Sequence, residues 1–319
     1  MSKLIYTVGI PGSGKSYATK EIAKKENAII LSTDDLRMEL FGSHAKQKKT
    51  SLLFYELYKR ANEHLTAGKS VIIDATNIDR EKRMKALKKF GYPRAECYYF
   101  DTPYNLCLKR NQKRKRQVEE SIMIKMRKNL HFPFPNEGWN AVHIIHEPSS
   151  YELTKKDILS FLRHDFSYET LCSFLLRFPF LSEMYGFDQE SPYHQFPLCQ
   201  HTYHVMQYIQ EYYEGQDKEK MLLTALFHDS GKPFCKTYKP AKGHYSYFGH
   251  EHVSAQLACH FLIEAGFDTS FVCDVVHLID MHMLINYGGE EGANQIYHLL
   301  GAEQLTNLYF FLEADQFAK

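Results

Sequence analysis

Hydrophobic and polar positions follow one rhythm in the first half of the chain and another in the second. Apolar runs recur at Leu4–Val8, Ala28–Leu31, Ser70–Asp74, Ala95–Asp101 and Ala141–Ile145, each with the length and composition of a buried parallel strand. Between them, Tyr17–Lys25, Thr50–Ala67 and the stretch beginning near Arg80 read as helices. Alternation of this kind predicts an α/β domain, a parallel sheet with flanking helices. Near Glu147-Pro148-Ser149-Ser150 the alternation stops, and a charged helical stretch from Glu152 to His164 follows. From Tyr168 onward apolar residues fall at three- and four-residue spacing without a strand series, which predicts an all-α domain. The expected organisation is an α/β domain over 1–147, a helical linker over 148–167 and an all-α domain over 168–319.

Composition narrows this picture only a little. The 319 residues suit two domains,, and a net charge of +1 gives no global argument for nucleic acid, so such an argument must come from local clusters,. The seven cysteines are scattered and never spaced as C-x-x-C, so they are expected to be reduced packing residues of a cytoplasmic protein. Neither a secretory signal nor an apolar run of membrane-spanning length is found, and no membrane role is expected,.

Candidate chemistry begins at Gly9-Ile10-Pro11-Gly12-Ser13-Gly14-Lys15-Ser16, which fits the phosphate-cradling pattern G-x-x-x-x-G-K-[ST] between a strand and a helix,. Backbone groups of Gly12, Ser13 and Gly14 can close around phosphate oxygens, Lys15 can reach the outer phosphates, and the Ser16 hydroxyl can ligate Mg²⁺; the expected cofactor is ATP with Mg. The second strand delivers Asp34 and Arg37 to its carboxyl end. Asp34 there could take a proton from an acceptor hydroxyl and Arg37 could hold a phosphate, or Asp34 could simply cap the next helix. The third strand ends in Asp74, a candidate contact to Mg²⁺, and Thr76 follows as a phosphate contact or helix cap,. The segment Lys109–Arg116 is strongly basic; on a continuous helix Arg110 and Arg114 would share a face as lid cations, with Lys115 and Arg116 facing a polyanion or water,.

In the second half the strongest signal is Phe227-His228-Asp229-Ser230-Gly231-Lys232, an adjacent His-Asp pair at the end of an apolar helix. Both side chains can reach one metal ion lying against the helix end, and further ligands must come from elsewhere: His201, His250, His282 and Asp315 are the candidates,. Lys232 could offset charge building on phosphoryl oxygens.

Residues 10–16, Asp34-Asp35-Leu36-Arg37, Asp74-Ala75-Thr76-Asn77 and Lys109-Arg110-Asn111-Gln112-Lys113-Arg114 occur in the order seen in phage-type polynucleotide 5′-kinases, which residues 1–147 resemble. The resemblance implies ATP-dependent phosphorylation of a 5′-hydroxyl end, with Asp34 as general base, Arg37 on the acceptor's phosphate, Lys15 and Ser16 on ATP·Mg²⁺, and Arg110 and Arg114 as lid cations. Asp74 departs from it, standing one place ahead of the acidic residue of the phage enzymes. Residues 195–319 resemble the HD phosphohydrolase superfamily. That resemblance implies His201, His228, Asp229 and Asp315 as defining metal ligands and His250 and His282 as ligands of a second ion. Such donors suit Mn, Fe, Ni, Co or Zn. The pairing resembles bacterial RNA end-healing enzymes, implying a 5′-kinase joined to a 2′,3′-cyclic phosphodiesterase and 3′-phosphatase, RNA or DNA ends as partners, and an RNA ligase as a further partner. Two alternatives stand beside it: a small-molecule salvage kinase joined to a nucleotidase, and a hydrolase gated by an ATP-sensing module.

Overall fold

The computed structural model describes residues 2–43, 50–90, 94–149, 154–163 and 166–318. Two compact units result: Met1–Met126 with Pro133–Glu147, and Arg127–Phe132 with Pro148–Lys319.

In the first unit the elements run β1 (Leu4–Val8), α1 (Lys15–Glu26), β2 (Ala28–Ser32), α2 (Thr33–Phe41), α3 (Thr50–Thr66), β3 (Ser70–Asp74), α4 (Arg80–Phe90), β4 (Ala95–Asp101), α5 (Tyr104–Gln112), α6 (Glu120–Lys128) and β5 (Ala141–His146). All five strands pair in parallel, in the order β2-β3-β1-β4-β5. β1 is central and wholly buried, which is why its sequence is a continuous apolar run without alternation. The connection leaving β1 runs to β2 on one side and that leaving β3 crosses to β4 on the other, so the carboxyl ends of β1 and β3 flank the switch point where ligands of open parallel sheets collect.

The turn leaving β1 packs tightly against the start of α5. Gly12 has φ +85°, and a Cβ placed there would lie 2.3 Å from the Cys107 carbonyl oxygen. Gly12→Ala is therefore expected to push the loop off α5 and abolish nucleotide binding, read as loss of ATP-induced thermal stabilisation.

The second unit is built from α7 (Lys155–Arg163), α8 (Tyr168–Leu176), α9 (Pro179–Ser182), α10 (Leu198–Tyr212), α11 (Lys218–Phe227), α12 (Lys232–Cys235), a hairpin of β6 (Thr237–Lys239) and β7 (His244–Ser246), then α13 (His250–Glu264), α14 (Thr269–Tyr287), α15 (Gly289–Leu300) and α16 (Ala302–Phe317). The helical expectation holds with one addition, the antiparallel β6–β7 hairpin. Long α14 packs against α11, α13, α15 and α16. α7 lies inside the stretch expected as a linker and buries Ile158 and Leu162 within this unit; positions 152, 153 and 164 of the expected helix lie outside the described residues. Residues 127–132 also lie with this unit, held where Gln256 Nε2 donates to the Arg127 carbonyl (2.9 Å) and Lys128 Nζ to the Cys235 carbonyl (3.0 Å).

Candidate functional sites

At the end of β1 the loop is tied down before any ligand arrives. Gly9 N–H donates to the Thr76 carbonyl (3.0 Å) and Thr102 Oγ1 to the Ser13 carbonyl (3.1 Å). Lys15 is buried, and its Nζ donates to the Gly9 and Ile10 carbonyls (2.7 Å each) and to Ser13 Oγ (3.2 Å). Burial pushes the Lys15 ammonium down to about 8, with the Asp74 carboxylate pulling partly the other way. Asp74 is itself shifted upward by burial, against the influence of Lys15 and a hydrogen bond from Ser16. Lys15, Ser16 and Asp74 thus converge on one point, the chemistry a Mg²⁺-bearing triphosphate requires.

A triphosphate would favour charged Lys15, so its binding takes up a proton wherever the free lysine is neutral. ATP affinity is accordingly expected to fall as pH rises through 8,. Calorimetric titrations at pH 8.5 to 9, in buffers of different ionisation enthalpy, would report the uptake.

These groups line a cavity of about 1140 Å³, which also gathers Gly12, Ser13, Gly14, Asp34, Arg37, Thr76, Arg110 and Arg114. The candidate phosphate, acceptor and lid residues of the first unit therefore face one space, whereas Lys115 of the basic segment does not line it. It exceeds the roughly 300–1,000 Å³ usual for a single small ligand, which leaves room for a second reactant. Asp34 does not cap α2: Ser32 Oγ does, accepting from the N–H groups of Asp34 (3.2 Å) and Asp35 (3.3 Å). Thr76 supplies a main-chain carbonyl to Gly9, and Asn77, at φ 46°, ties Nδ2 to the Thr7 carbonyl (2.8 Å).

The basic segment departs from the expected helix. α5 ends at Gln112 because Asn111 closes a reciprocal pair with Val118, Nδ2 to the carbonyl at 2.8 Å and Oδ1 from the N–H at 3.0 Å. Arg114 consequently reaches the cavity from a turn and shares no helix face with Arg110. The same loop carries Arg116 to Asp34, Nη1 to Oδ1 at 3.0 Å, while Arg110 pairs with Glu147 at 3.0 Å. Both pairs are partly exposed, so each contributes only about 0–1 kcal/mol. Incoming phosphates can displace the carboxylates at little cost.

In the second unit four imidazoles converge on one carboxylate. His228 is the C-cap of α11, His201 lies on α10, His250 opens α13, His282 lies on α14 and Asp315 on α16. Asp229 Oδ2 is 3.2 Å from His228 Nε2 and 3.5 Å from His201 Nε2; its Oδ1 is 3.0 Å from His250 Nε2 and 4.0 Å from His282 Nε2. Asp315 Oδ1 completes the first group, 3.2 Å from His201 Nε2 and 3.6 Å from His228 Nε2. Two ligand groups form the cage, His201, His228 and Asp315 on one side and Asp229, His250 and His282 on the other, and the Oδ2 of Asp229 also faces the first group.

Each ring has its tautomer set by the main chain. Nδ1 donates to the carbonyl of Ala318 from His201, Ala225 from His228, Tyr247 from His250 and Ile279 from His282, at 2.7–3.1 Å. A carbonyl can only accept, so each neutral ring turns the Nε2 lone pair inward. Yet His201 and His228 bring these nitrogens to 3.2 Å, and His250 and His282 to 3.3 Å. Buried lone pairs that close repel one another unless a cation or a proton lies between them. Burial would lower His228, but Asp229 and Asp315 raise it to about 9; burial and the neighbouring imidazoles His250 and His228 push His282 down to about 3. Burial would raise both Asp229 and Asp315, yet the adjoining cationic groups hold each well below the usual carboxylate range. The donor set, its orientation and its charge fit two divalent ions.

Lys232 is buried and spans the edge of the cage, 2.6 Å from Asp229 Oδ2 and 2.7 Å from Gln189 Oε1, with His194 Nε2 at 3.3 Å. Gln189 and His194 come from the loop before α10, which carries no motif or periodicity, and nothing in the sequence marks them. Arg116 and Glu147 were equally hidden as partners, because each is defined by a residue far away along the chain. Among the described residues no helix is long and apolar enough to cross a membrane.

Two family models match separate parts of the chain. The AAA domain family matches residues 4–133 and the HD domain family residues 198–317. A CC-adding tRNA nucleotidyltransferase of Thermus thermophilus is 29% identical over 140 residues, 44% of this chain and 32% of that protein, so the chain spans about a third of that relative's length. Among solved structures, a chain of the Pnkp1/Rnl/Hen1 RNA repair complex is 26% identical, covering 40% of this chain and 44% of that one with a TM-score of 0.38. A sugar kinase from Janibacter is 18% identical, covering 46% and 88%, with a TM-score of 0.37.

Proposed function

We propose that this chain, an AAA-type P-loop domain joined to an HD domain, heals broken nucleic-acid ends by phosphorylating 5′-hydroxyls and hydrolysing 2′,3′-cyclic or 3′-phosphates. The observation that carries the reading is the presence of two complementary centres on one chain. One is a phosphate cradle with an acid and an arginine 3.0 Å apart in the same cavity, and the other is a buried cage of four histidines and two aspartates.

At the first centre, Lys15, Arg110 and Arg114 hold the phosphates of ATP, and Ser16 and Asp74 face its Mg²⁺. The acceptor's phosphate takes Arg37 and draws Arg116 off Asp34. The released carboxylate accepts the 5′-hydroxyl proton as that oxygen bonds to the γ-phosphorus and the bond to ADP breaks. At the second centre, His201, His228, Asp229, Asp315, His250 and His282 would hold divalent ions of the Mn, Fe, Ni, Co or Zn class. When bound, these supply Lewis acidity and lower the pKa of water. Lys232 keeps Asp229 in place and adds positive charge where phosphoryl oxygens would lie. Ends healed in this way suit an RNA ligase, and the reading places the protein with cytoplasmic RNA.

The test is incubation of an oligoribonucleotide bearing a 5′-hydroxyl and a 2′,3′-cyclic phosphate, with and without ATP, followed by mass analysis of both termini. Opening of the cyclic phosphate without ATP and gain of a 5′-phosphate only with ATP are expected. Nucleosides competing as well as the oligomer would assign nucleotide salvage; ATP turnover without any acceptor would assign a sensor. A DNA oligomer run in parallel reads the sugar preference.

A further inference from the structure

We propose that a wall of exposed aromatic rings and lysines beside the His/Asp cage grips the single-stranded run of nucleotides leading to the 3′ end. The proposal rests on the phosphoesterase reading above and names the substrate that this centre prefers: a polynucleotide end over a mononucleotide.

Two segments make the wall, the loop 187–194 and the β6–β7 hairpin. One side chain joins them: the Lys236 ammonium lies 4.9 Å from the Phe187 ring centroid and 4.6 Å from that of Tyr245, and donates to the Asp188 carbonyl (3.0 Å) and the Glu190 carboxylate. The wall continues into the cage. Gln189 accepts from Lys232 at 2.7 Å, Lys232 contacts Asp229 at 2.6 Å, and the Tyr247 hydroxyl donates to the Gln189 carbonyl. A strand lying on this wall would therefore end at the metal-binding carboxylate.

Three large rings stand in solvent here: Tyr193 is 65% exposed, Tyr238 51% and Phe248 68%. Tyr193 is steadied by His244 (5.7 Å between centroids) and Tyr238 by Tyr245 (5.3 Å). Rings held in place but left uncovered cost hydration without return unless something stacks on them. Charge identifies what does. From Lys236 to Ser246 the sequence carries Lys236, Lys239, Lys242 and His244 and no acid. The hairpin turn, closed by Lys242 N–H on the Lys239 carbonyl (2.9 Å), sets two exposed lysines at its tip. The facing loop carries two acids: Glu190 is paired with Lys236, and Asp188 Oδ1 accepts from the Glu190 N–H at 2.8 Å. Stacking rings interleaved with cations is the surface that single-stranded nucleic acid uses without regard to base sequence.

The full chain loaded with Mn²⁺ is tested with a 5′-phosphorylated RNA of about ten nucleotides ending in a 2′,3′-cyclic phosphate, and with a 2′,3′-cyclic mononucleotide. The 5′-phosphate keeps the oligomer from acting as a kinase acceptor. Tyr193→Ala and Tyr238→Ala are each expected to weaken oligomer binding by about 5- to 100-fold by fluorescence anisotropy. The ratio of kcat/KM for oligomer over mononucleotide should fall by about the same factor, and Tyr238→Phe should restore both. Replacing Lys239 and Lys242 by Gln should reduce the slope of log Kd against log salt by about 1.4. Unchanged binding and an unchanged ratio in the alanine variants would overturn the proposal. So would variants that alter only the oligomeric state, which would give the face to a protein contact. A wild-type chain that binds the oligomer through these rings but hydrolyses neither ester would sink the phosphoesterase reading and leave the wall standing.

Discussion

Asp229→Asn is expected to strip both metal ions and lower phosphoester hydrolysis by about 10³-fold or more, beyond the roughly 10–100-fold usual when a group that only hydrogen-bonds to a ligand is changed. The reason is the sharing of one carboxylate, with Oδ2 turned to His201 and His228 and Oδ1 to His250 and His282. Loss of one negative charge also leaves Lys232 and four inward-facing imidazoles with Asp315 as their remaining carboxylate in the cage. His282→Ala, by contrast, removes a ligand from one group only, and one ion should survive. Metal content after dialysis separates the two cases, and the proposed 5′ phosphorylation should stay within about twofold in both because the P-loop cavity lies wholly in the first unit,. Circular dichroism distinguishes metal loss from unfolding. An Asp229→Asn chain that retains both ions would rule out the shared ligand.

What the sequence made legible was what is local. The phosphate cradle is eight consecutive residues, Gly9 to Ser16, and its backbone geometry follows from the glycines themselves. The inner strands β1, β3 and β4 were equally plain, since strands buried on both faces must be apolar,; β2 and β5 lie at the sheet edges and are only partly buried, so the expectation of burial fails there. His228, His250 and His282 each set their tautomer on the carbonyl three residues back, a geometry local to the chain: within the helix for His228 and His282, and across the turn entering α13 for His250. That all three then meet one carboxylate is tertiary, and only a family resemblance could suggest it. The misreadings share a cause. α5 stops because Asn111 finds Val118, and Arg116 faces Asp34 across 82 positions of sequence; helical periodicity carries neither fact. The β6–β7 hairpin escaped because its strands are three residues long and β6 is exposed throughout, leaving no alternation to read.

Asp34→Asn and Lys15→Met should both abolish useful kinase activity, but through different constants. Asp34 is argued to act on the acceptor proton, a contribution of about 10²- to 10⁴-fold. Its loss should therefore appear in kcat, with the KM for ATP held within about twofold. Lys15 holds the carbonyls of Gly9 and Ile10 in the resting loop and would move to the phosphates. Its replacement loosens the cradle and removes a buried cation together, so ATP binding and kcat should fall in parallel. Arg116→Gln separates positioning from chemistry. If Arg116 is surrendered to the acceptor's phosphate, the KM for the oligonucleotide rises while that for ATP does not. Hydrolysis of the 2′,3′-cyclic end should be unaltered in all three variants. Normal turnover in Asp34→Asn would mean that the acceptor loses its proton elsewhere, and the 3.0 Å pair with Arg116 would then be only a latch on the basic loop.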